Sequence, residues 1–134
     1  MHWPAVYRRK IRYSDSDAQA IVFNGNYLSY YDDTLTDVFD TLGLSTEAMH
    51  DQGYDVLTVH AEIDFQATAR LGETLEFSAS LERIGNTSIT FAIESNVADT
   101  DRITTAGRVV FVTVGHESHE PIRVPDTLRT LLET

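Results

Sequence analysis

One long helical pattern, from about Asn24 to Leu42, constrains the fold of this chain more than any other feature of its sequence. Large apolar residues recur in it at spacings of three and four and form a broad stripe: Tyr27, Tyr30, Tyr31, Leu35, Val38, Phe39 and Leu42. Gly43 follows the stripe, and glycine readily takes the left-handed conformation found after a helix C terminus. A stripe this wide and aromatic predicts a sheet that wraps around the helix.

The rest of the chain reads mainly as strands. Alternating apolar residues and turn formers predict a first strand at 5–13, a short helix at 45–52, further strands at 54–65, 74–84, 88–98 and 102–114, and a short C-terminal helix after Pro125. In the strand at 54–65, the residues expected to face the core are Val59, Ala61, Ile63 and Phe65. We therefore predict an α+β fold, with an antiparallel sheet of about five strands around one long central helix.

The composition limits the classes of function. A chain of 134 residues is long enough for one core, which predicts a single domain spanning residues 1–134. The net charge of −11 argues against binding nucleic acid, because a polyanion would be repelled. The absence of cysteine excludes disulfides, thiolate metal sites and a cysteine nucleophile. The sequence contains no signal-peptide pattern and no apolar stretch of membrane-spanning length, so we expect a cytoplasmic protein without a membrane partner.

The cations of this chain are unusual as well. Lys10 is the only lysine, and arginine supplies the other nine positive side chains. An acidic, lysine-poor composition resembles that of proteins from salt-loving organisms. Halophilic adaptation is therefore one hypothesis, and an ordinary acidic protein from a GC-rich genome is the other.

An acidic loop leads directly into the long helix. It contains Asp15 and Asp17, followed by a short apolar run at 21–23 and turn-forming residues at 24–26. The first N–H groups of a helix lack backbone partners and lie at the positive end of its dipole. A carboxylate beside such groups can act as base or nucleophile while the N–H groups polarise a carbonyl and hold the oxyanion that forms on attack. This loop is therefore the candidate site.

The same loop carries a family resemblance. The pattern Tyr13-x-Asp15-x-Asp17-x-x-x-Ile21-Val22-Phe23-x-x-x-Tyr27, followed by an aromatic helix, resembles the signature of hot-dog-fold acyl-CoA thioesterases of the 4-hydroxybenzoyl-CoA thioesterase type. The similarity continues at Phe65-x-x-x-Ala69-Arg70-Leu71-Gly72-Glu73-x-Leu75 and at 84–88, and so covers most of the chain. The family usually has glycine in place of Ala20, and often histidine or tyrosine in place of Asn24.

The resemblance implies a hot-dog fold and hydrolysis of an acyl-CoA substrate to the free acid and coenzyme A. Asp17 would be the general base or nucleophile, and the helix N terminus near Asn24 and Gly25 would polarise the thioester carbonyl. Phe23 and Tyr27 would contact the substrate, with Tyr27 lining the acyl pocket. This chemistry needs no metal and no bound cofactor.

The predicted sheet leaves a free edge, which favours association with a second copy of the chain. In the family it resembles, two sheets join edge to edge and the active site lies at the dimer interface. The strand at 56–64 would then meet its partner and bring Thr58, Val59 or His60 near the partner's Asp17. We expect a homodimer, which could pair again into a tetramer.

Several of these residues also have a structural interpretation. Asp17 could serve only as a turn residue, whereas Asp15 is expected to be structural and to accept N–H groups of the loop. Asn24 is expected to be the N-cap of the helix. Asp32 and Asp33 are further catalytic candidates, since a related branch of hot-dog thioesterases uses an acidic residue inside the helix.

Two other functions stay open from the sequence. A hot-dog hydratase or dehydratase would need a histidine beside Asp17, and none is near it in the sequence. A non-catalytic acyl-binding protein would need no catalytic group at all. His116 and His119 lie in a predicted polar loop without further ligands, so we expect a solvated loop there rather than a metal site.

Overall fold

The computed structural model describes residues 1–134. Its strands are β1 (His2–Lys10), β2 (Tyr54–Phe65), β3 (Thr74–Ile84), β4 (Ser88–Val97) and β5 (Ile103–Gly115), and its helices are α1 (Asn26–Thr41), α2 (Thr46–Asp51) and α3 (Asp126–Glu133). The strands form one antiparallel sheet in the spatial order β1-β3-β4-β5-β2. The predicted α+β architecture, with five antiparallel strands and one long helix, is confirmed.

The aromatic stripe of α1 packs against one face of the sheet, and the two together form the hydrophobic core. All of the predicted stripe residues are buried except Leu42, which is half-buried. Buried phenylalanines lie opposite them in three neighbouring strands: Phe77, Phe91 and Phe111. Fully burying one large apolar side chain is worth about 1.5–3 kcal/mol, so this contact supplies much of the free energy that holds α1 on the sheet.

The start of α1 differs from the prediction. The helix begins at Asn26, and Gly25 occupies the N-cap position with helical dihedral angles (φ −61°, ψ −23°). The N-cap role expected for Asn24 is therefore wrong, since no side chain caps this helix. The chain makes a tight turn just before α1, closed by a hydrogen bond from the Asn26 N–H to the Phe23 carbonyl oxygen (2.9 Å), and this turn moves the helix start forward. At the other end, Gly43 takes the predicted left-handed conformation (φ +72°).

Strand β2 departs from its predicted alternation. Its pairing with β5 shifts between Thr58 and His60, so that Val59 is an extra, bulged residue. Val59 is consequently 59% exposed, although strict alternation predicted that it would face the core. Beyond the bulge, Ala61 and Ile63 pack against the core as predicted, whereas Phe65, also predicted to face the core, is 49% exposed. The alternation fails at Val59 because a bulge interrupts the period of two.

The two edges of the sheet are β1 and β2. β1 lies at 2–10 rather than 5–13, because the chain leaves the sheet there and enters a one-turn 3-10 helix (Tyr13–Asp15). Tyr13 is consequently outside the sheet and 86% exposed. Along β2, the apolar residues Leu57, Val59 and Phe65 are exposed. β2 pairs with β5 on one side only, and its other edge has no partner strand. An apolar strand edge without a partner favours pairing with a second chain.

Two short helices occur where the sequence predicts them. Ser45 caps α2, and its hydroxyl accepts a hydrogen bond from the Ala48 N–H (3.0 Å). In α3, Leu128 and Leu132 are buried in the core. None of the three helices has the length and apolarity that a membrane-spanning helix requires.

A substitution at Gly107 of β5 tests how closely the backbone of β2 approaches this position. A Cβ atom at this position would collide with the Glu62 carbonyl oxygen, which belongs to the backbone of β2 and cannot rotate away. We expect Gly107→Ala to lower the free energy of unfolding by about 1–3 kcal/mol, the usual cost of overpacking. Denaturant unfolding followed by circular dichroism measures this loss.

Gly85→Ala is the matched control. A Cβ atom there would meet the Ser88 hydroxyl at 2.6 Å, and a hydroxyl can rotate out of the way. This variant should therefore lose less stability than Gly107→Ala. Equal losses in the two variants would contradict the close approach of β2 and β5.

Candidate active site

The candidate loop folds back on itself as a small hairpin before α1 begins. The Phe23 N–H donates to the Asp15 carbonyl oxygen (3.1 Å), and the Asp17 N–H donates to the Ile21 carbonyl oxygen (2.9 Å). The Ala20 N–H closes the tip of the hairpin on the Asp17 carbonyl oxygen (3.0 Å). This pairing holds the Asp17 backbone beside the segment that leads into the helix.

Asp15 anchors this hairpin inside the protein. It is 5% exposed. One carboxylate oxygen accepts hydrogen bonds from the Tyr30 hydroxyl (2.6 Å) and from the Arg9 guanidinium (2.8 Å). The other accepts one from the Arg12 backbone N–H (2.9 Å). The contacts fit the structural role expected for Asp15, because they join β1, the loop and α1 at one point.

The electrostatics of Asp15 follow from these contacts. Burial by itself would raise the pKa of the carboxyl group, but the hydrogen bonds from Tyr30, Arg9 and Arg12 outweigh it and hold the pKa below the ordinary value. Burial and the hydrogen bond to Asp15 also raise the pKa of the Tyr30 hydroxyl. Asp15 is thus a charged group with both carboxylate oxygens hydrogen-bonded inside the protein, which fits a structural role better than a catalytic one.

Asp17, two residues further on, is in a different situation. Its side chain is exposed at the hairpin, and one carboxylate oxygen accepts a hydrogen bond from the Gln19 N–H (2.8 Å). This is the turn contact that the structural interpretation predicts. The second oxygen has no hydrogen-bond partner, so the carboxylate is free to accept a proton or to attack a bound group.

Ala20 stands at the tip of the same hairpin in the left-handed conformation (φ +59°). This conformation costs a residue with a Cβ atom roughly 1–2 kcal/mol, which is why glycine is preferred at such positions. Neighbouring bonds hold it there: the Leu71 N–H donates to the Ala20 carbonyl oxygen (3.0 Å), and the Val22 N–H donates to the Ala69 carbonyl oxygen (2.9 Å). The loop therefore keeps its geometry without the glycine that is usual in the family it resembles.

The segment before α1 presents unpaired donors to the surface. The backbone N–H groups of Asn24 and Gly25 donate no hydrogen bond within the chain. The ring of Phe23 is exposed and lies against Gly25, where an added Cβ atom would approach the ring to 2.7 Å. Free N–H groups at the positive end of a helix can polarise a carbonyl and stabilise an oxyanion.

Tyr27 lies in the first turn of α1 and beneath the surface. It is 2% exposed, and its ring packs edge-on against Tyr30 and Phe65 (centroid distances 5.7 and 5.8 Å). Its hydroxyl is buried without a hydrogen-bond partner, a state that costs about 1–3 kcal/mol. Nothing in the sequence could have predicted this unpaired hydroxyl, because it depends on which strands pack around the ring.

Thr58, Val59 and His60 lie on the exposed edge strand, and none of them contacts Asp17 of the same chain. Thr58 lines a cavity of about 350 Å³ between α1, α2 and the start of β2. His60 is exposed, with its ring nitrogen 3.6 Å from a Glu62 carboxylate oxygen. A single chain therefore brings Phe23, Asn24 and Gly25 together near the hairpin, but not the three residues of β2.

Asp32 and Asp33, the acidic candidates inside α1, lie outside the hairpin that carries Asp17. Asp32 borders the same cavity as Thr58, and partial burial together with the charge of Asp33 raises the pKa of Asp32. No histidine forms a hydrogen bond or ion pair with Asp17, and the one hydrogen bond of that carboxylate comes from the Gln19 backbone N–H. Within a single chain, therefore, Asp17 has no histidine partner of the kind that the hydratase or dehydratase alternative requires.

The sequence matches a known family over most of this region. The model of the thioesterase superfamily matches residues 19–104, more than half of the chain. The acyl-CoA thioester hydrolase YbgC of Escherichia coli is 24% identical over 89 residues, which cover 66% of this chain and 63% of that relative. A 1,4-dihydroxy-2-naphthoyl-CoA hydrolase of Synechococcus elongatus is 22% identical over 129 residues, which cover 95% of this chain and 93% of that relative.

A solved structure gives the same picture of the fold. The crystal structure of a 1,4-dihydroxy-2-naphthoyl-CoA thioesterase from Synechocystis superposes with a TM-score of 0.87 at 17% identity, covering 98% of this chain and 96% of that one. At this level of identity the likeness shows the fold. The predicted hot-dog fold is confirmed.

The match to the family model covers enough of the chain to assign the chain to that family. The matched residues begin just after Asp17 and include the helix start, all of α1 and the strands β2, β3 and β4. They therefore contain the helix and most of the sheet that surround the candidate site. The chain belongs to the thioesterase superfamily and is an enzyme of the hot-dog fold that hydrolyses thioesters.

Proposed function

We propose that this thioesterase hydrolyses an acyl-CoA to the free acid and coenzyme A, with Asp17 as the catalytic carboxylate. The observation that carries the proposal is the pair of aspartates: Asp15 is buried with both carboxylate oxygens hydrogen-bonded, whereas Asp17 is exposed with one carboxylate oxygen free. The names of two relatives, an acyl-CoA thioester hydrolase and a 1,4-dihydroxy-2-naphthoyl-CoA hydrolase, support coenzyme A as the thiol component of the substrate.

The thioester carbonyl would bind in front of α1. Its oxygen would accept hydrogen bonds from the free N–H groups of Asn24 and Gly25, at the positive end of a helix of 16 residues. Negative charge grows on this oxygen as the tetrahedral intermediate forms, so the two donors stabilise the transition state more than the bound substrate. Asn24 thus acts through its backbone rather than its side chain.

Asp17 would then act in one of two ways. As general base, its carboxylate takes a proton from water while the water oxygen attacks the carbonyl carbon, and collapse of the intermediate expels the coenzyme A thiolate, which becomes protonated. As nucleophile, a carboxylate oxygen attacks the carbonyl carbon and expels the same thiolate, and water then hydrolyses the mixed anhydride. Both routes require the free carboxylate oxygen of Asp17.

Aromatic side chains beside the helix start would hold the acyl group. The ring of Phe23 is exposed next to Gly25, and Tyr27, two residues further along the chain, is buried with its ring packed edge-on against Phe65. These aromatic surfaces suit an apolar or aromatic part of the acyl group.

A second copy of the chain would complete the site. The free edge of β2 exposes Leu57 and Val59, and pairing two such edges across a two-fold axis buries both. The antiparallel pairing of β2 with the same strand of its partner would bring Thr58, Val59 and His60 toward the partner's Asp17. We propose a homodimer with a shared active site, which could pair again into a tetramer.

Replacing Asp17 by asparagine separates chemistry from architecture. An asparagine side chain can still accept the hydrogen bond from the Gln19 N–H, so the hairpin should persist. We expect turnover to fall by at least roughly 100-fold, the lower end of a general-base contribution. Free-thiol release from a panel of acyl-CoA substrates measures turnover, and thermal melting checks the fold.

Two neighbouring aspartates are the controls for this experiment. Asp33→Asn removes an exposed charge from the helix and should leave turnover nearly unchanged. Asp15→Asn keeps one acceptor oxygen, but it removes the charge that pairs with Arg9 and places an NH2 group where an oxygen accepted the Arg12 N–H. It should therefore appear mainly as lost stability, about 2 kcal/mol. If Asp17→Asn kept full turnover while Asp33→Asn lost it, the catalytic acid would lie on the helix instead.

Asn24→Ala tests whether the asparagine side chain takes part. Because that side chain forms no cap, the variant should keep its free energy of unfolding within about 0.5 kcal/mol and retain most of its turnover. Asn26→Ala is the contrast, since the Asn26 amide donates to the Asp15 carbonyl oxygen (2.9 Å) and its loss should cost about 1 kcal/mol. A large loss of turnover in Asn24→Ala at unchanged stability would show that its side chain contacts the substrate.

Val59→Lys tests the shared site. A lysine at this bulged position would place a charge at the paired edges, so we expect the dimer to dissociate and turnover to fall together. Leu131→Lys changes another exposed apolar residue, on α3, and should alter neither. Light scattering at micromolar concentration measures the molar mass and so gives the number of chains per particle. A wild-type protein that is monomeric and fully active would contradict the proposal.

A further inference from the structure

Away from the candidate active site, the fold gathers three metal-ligating side chains from distant parts of the chain. His50 lies in the last turn of α2, Asp55 is the second residue of β2, and His116 follows β5 directly. Their ligand atoms all lie within 4.8 Å of one another. The polar loop predicted for His116 and His119 is thus only part of the arrangement, since the additional ligands for His116 come from elsewhere in the chain.

The backbone holds these three residues in place. Tyr54 of β2 pairs with Gly115 of β5, which sets Asp55 and His116 on neighbouring ends of the two strands. The His116 N–H also donates to the Gly53 carbonyl oxygen (3.0 Å), at the turn that follows α2. Gly53 has a positive φ of 87°, which a residue with a Cβ atom rarely adopts. Sheet pairing and turn geometry therefore bring the cluster together, independently of its side-chain contacts.

The three side chains already lie close to one another. The imidazole rings of His50 and His116 stack with centroids 3.8 Å apart and planes inclined by 21°. The His50 Nε2 lies 2.9 Å from the Asp55 Oδ2. All three side chains are half-buried. Zinc binds imidazole nitrogens and carboxylate oxygens at about 2.0–2.2 Å, so binding would require the two stacked rings to turn until one nitrogen of each points at the ion.

The donor set indicates which ion would bind. Two neutral imidazoles and a carboxylate form a site preferred by Zn²⁺ and by similar transition-metal ions, whereas Mg²⁺ prefers oxygen ligands throughout. A polar cleft of about 340 Å³ adjoins the histidines, and the exposed Glu117 at its rim could supply a further carboxylate, with water as the alternative. The net charge of −11 also favours uptake of a cation.

We propose that His50, Asp55 and His116 bind one divalent transition-metal ion of the Zn²⁺ class, which fastens α2 and the loop after β5 to the start of β2. The site shares no residue with the proposed catalytic loop. The proposed site would therefore bind its ion whether or not Asp17 catalyses thioester hydrolysis. The ion would link three segments of the chain.

Zinc titration of the chelator-treated protein tests this proposal. We expect calorimetry to show one Zn²⁺ bound per chain, and thermal melts to show a higher Tm with ZnCl₂ but not with the same concentration of MgCl₂. Co²⁺ in place of Zn²⁺ should give visible absorption bands, a readout independent of enzyme activity. Turnover should not depend on the ion being present.

Variants of the ligands and of other histidines complete the test. His50→Gln, His116→Gln and Asp55→Asn should each weaken Zn²⁺ binding at least 10-fold, while circular dichroism checks that each variant folds. His60→Gln and His119→Gln, which alter exposed histidines outside the cluster, should bind as wild type. The proposal would be overturned by a wild-type Tm that does not respond to ZnCl₂, or by binding that all five variants retain.

Discussion

The packing of α1 around Phe77 is the contact on which the rest of the structure depends. The Phe77 ring is fully buried in β3 and lies against four tyrosine rings, at centroid distances from 5.5 to 6.3 Å. One of them is Tyr7 of β1, and the others are Tyr27, Tyr30 and Tyr31 of α1. Because protein interiors are closely packed, rings that interlock in this way fix both the rotation and the axial position of the helix. The N–H groups before α1 are thereby held at a defined place above the sheet.

The same helix also positions the acidic loop. Tyr30 belongs to the stripe that packs on Phe77, and its hydroxyl donates to Asp15. The ionised Asp15 also holds Arg9 of β1, so one buried carboxylate joins the helix, an edge strand and the hairpin. Asp17 can remain exposed because Asp15 carries out this structural role. The two aspartates thus share one loop and differ in function because their surroundings differ.

The sequence predicted those features that arise from burial along a single element. The apolar stripe of α1 and the positions of the short helices α2 and α3 were predicted correctly, because the spacing of apolar residues reflects the face that a helix turns to the core. The prediction was wrong at Val59 and at the N-cap of α1. A bulge depends on how β2 pairs with β5, and the turn before Asn26 depends on the hairpin that precedes it. The local sequence pattern shows neither the pairing of β2 with β5 nor the hairpin before α1.

The sequence alone determined the family, the α+β architecture and the two aspartates of the candidate site, because each of these follows from a pattern of residues that are close together along the chain. Only the tertiary structure decided which aspartate is free. It buries Asp15 against Tyr30 and Arg9 and leaves Asp17 exposed. The tertiary structure also left the Tyr27 hydroxyl unpaired and brought His116 beside His50. These features depend on contacts between elements far apart in sequence, and such contacts exist only once the sheet has formed around the helix.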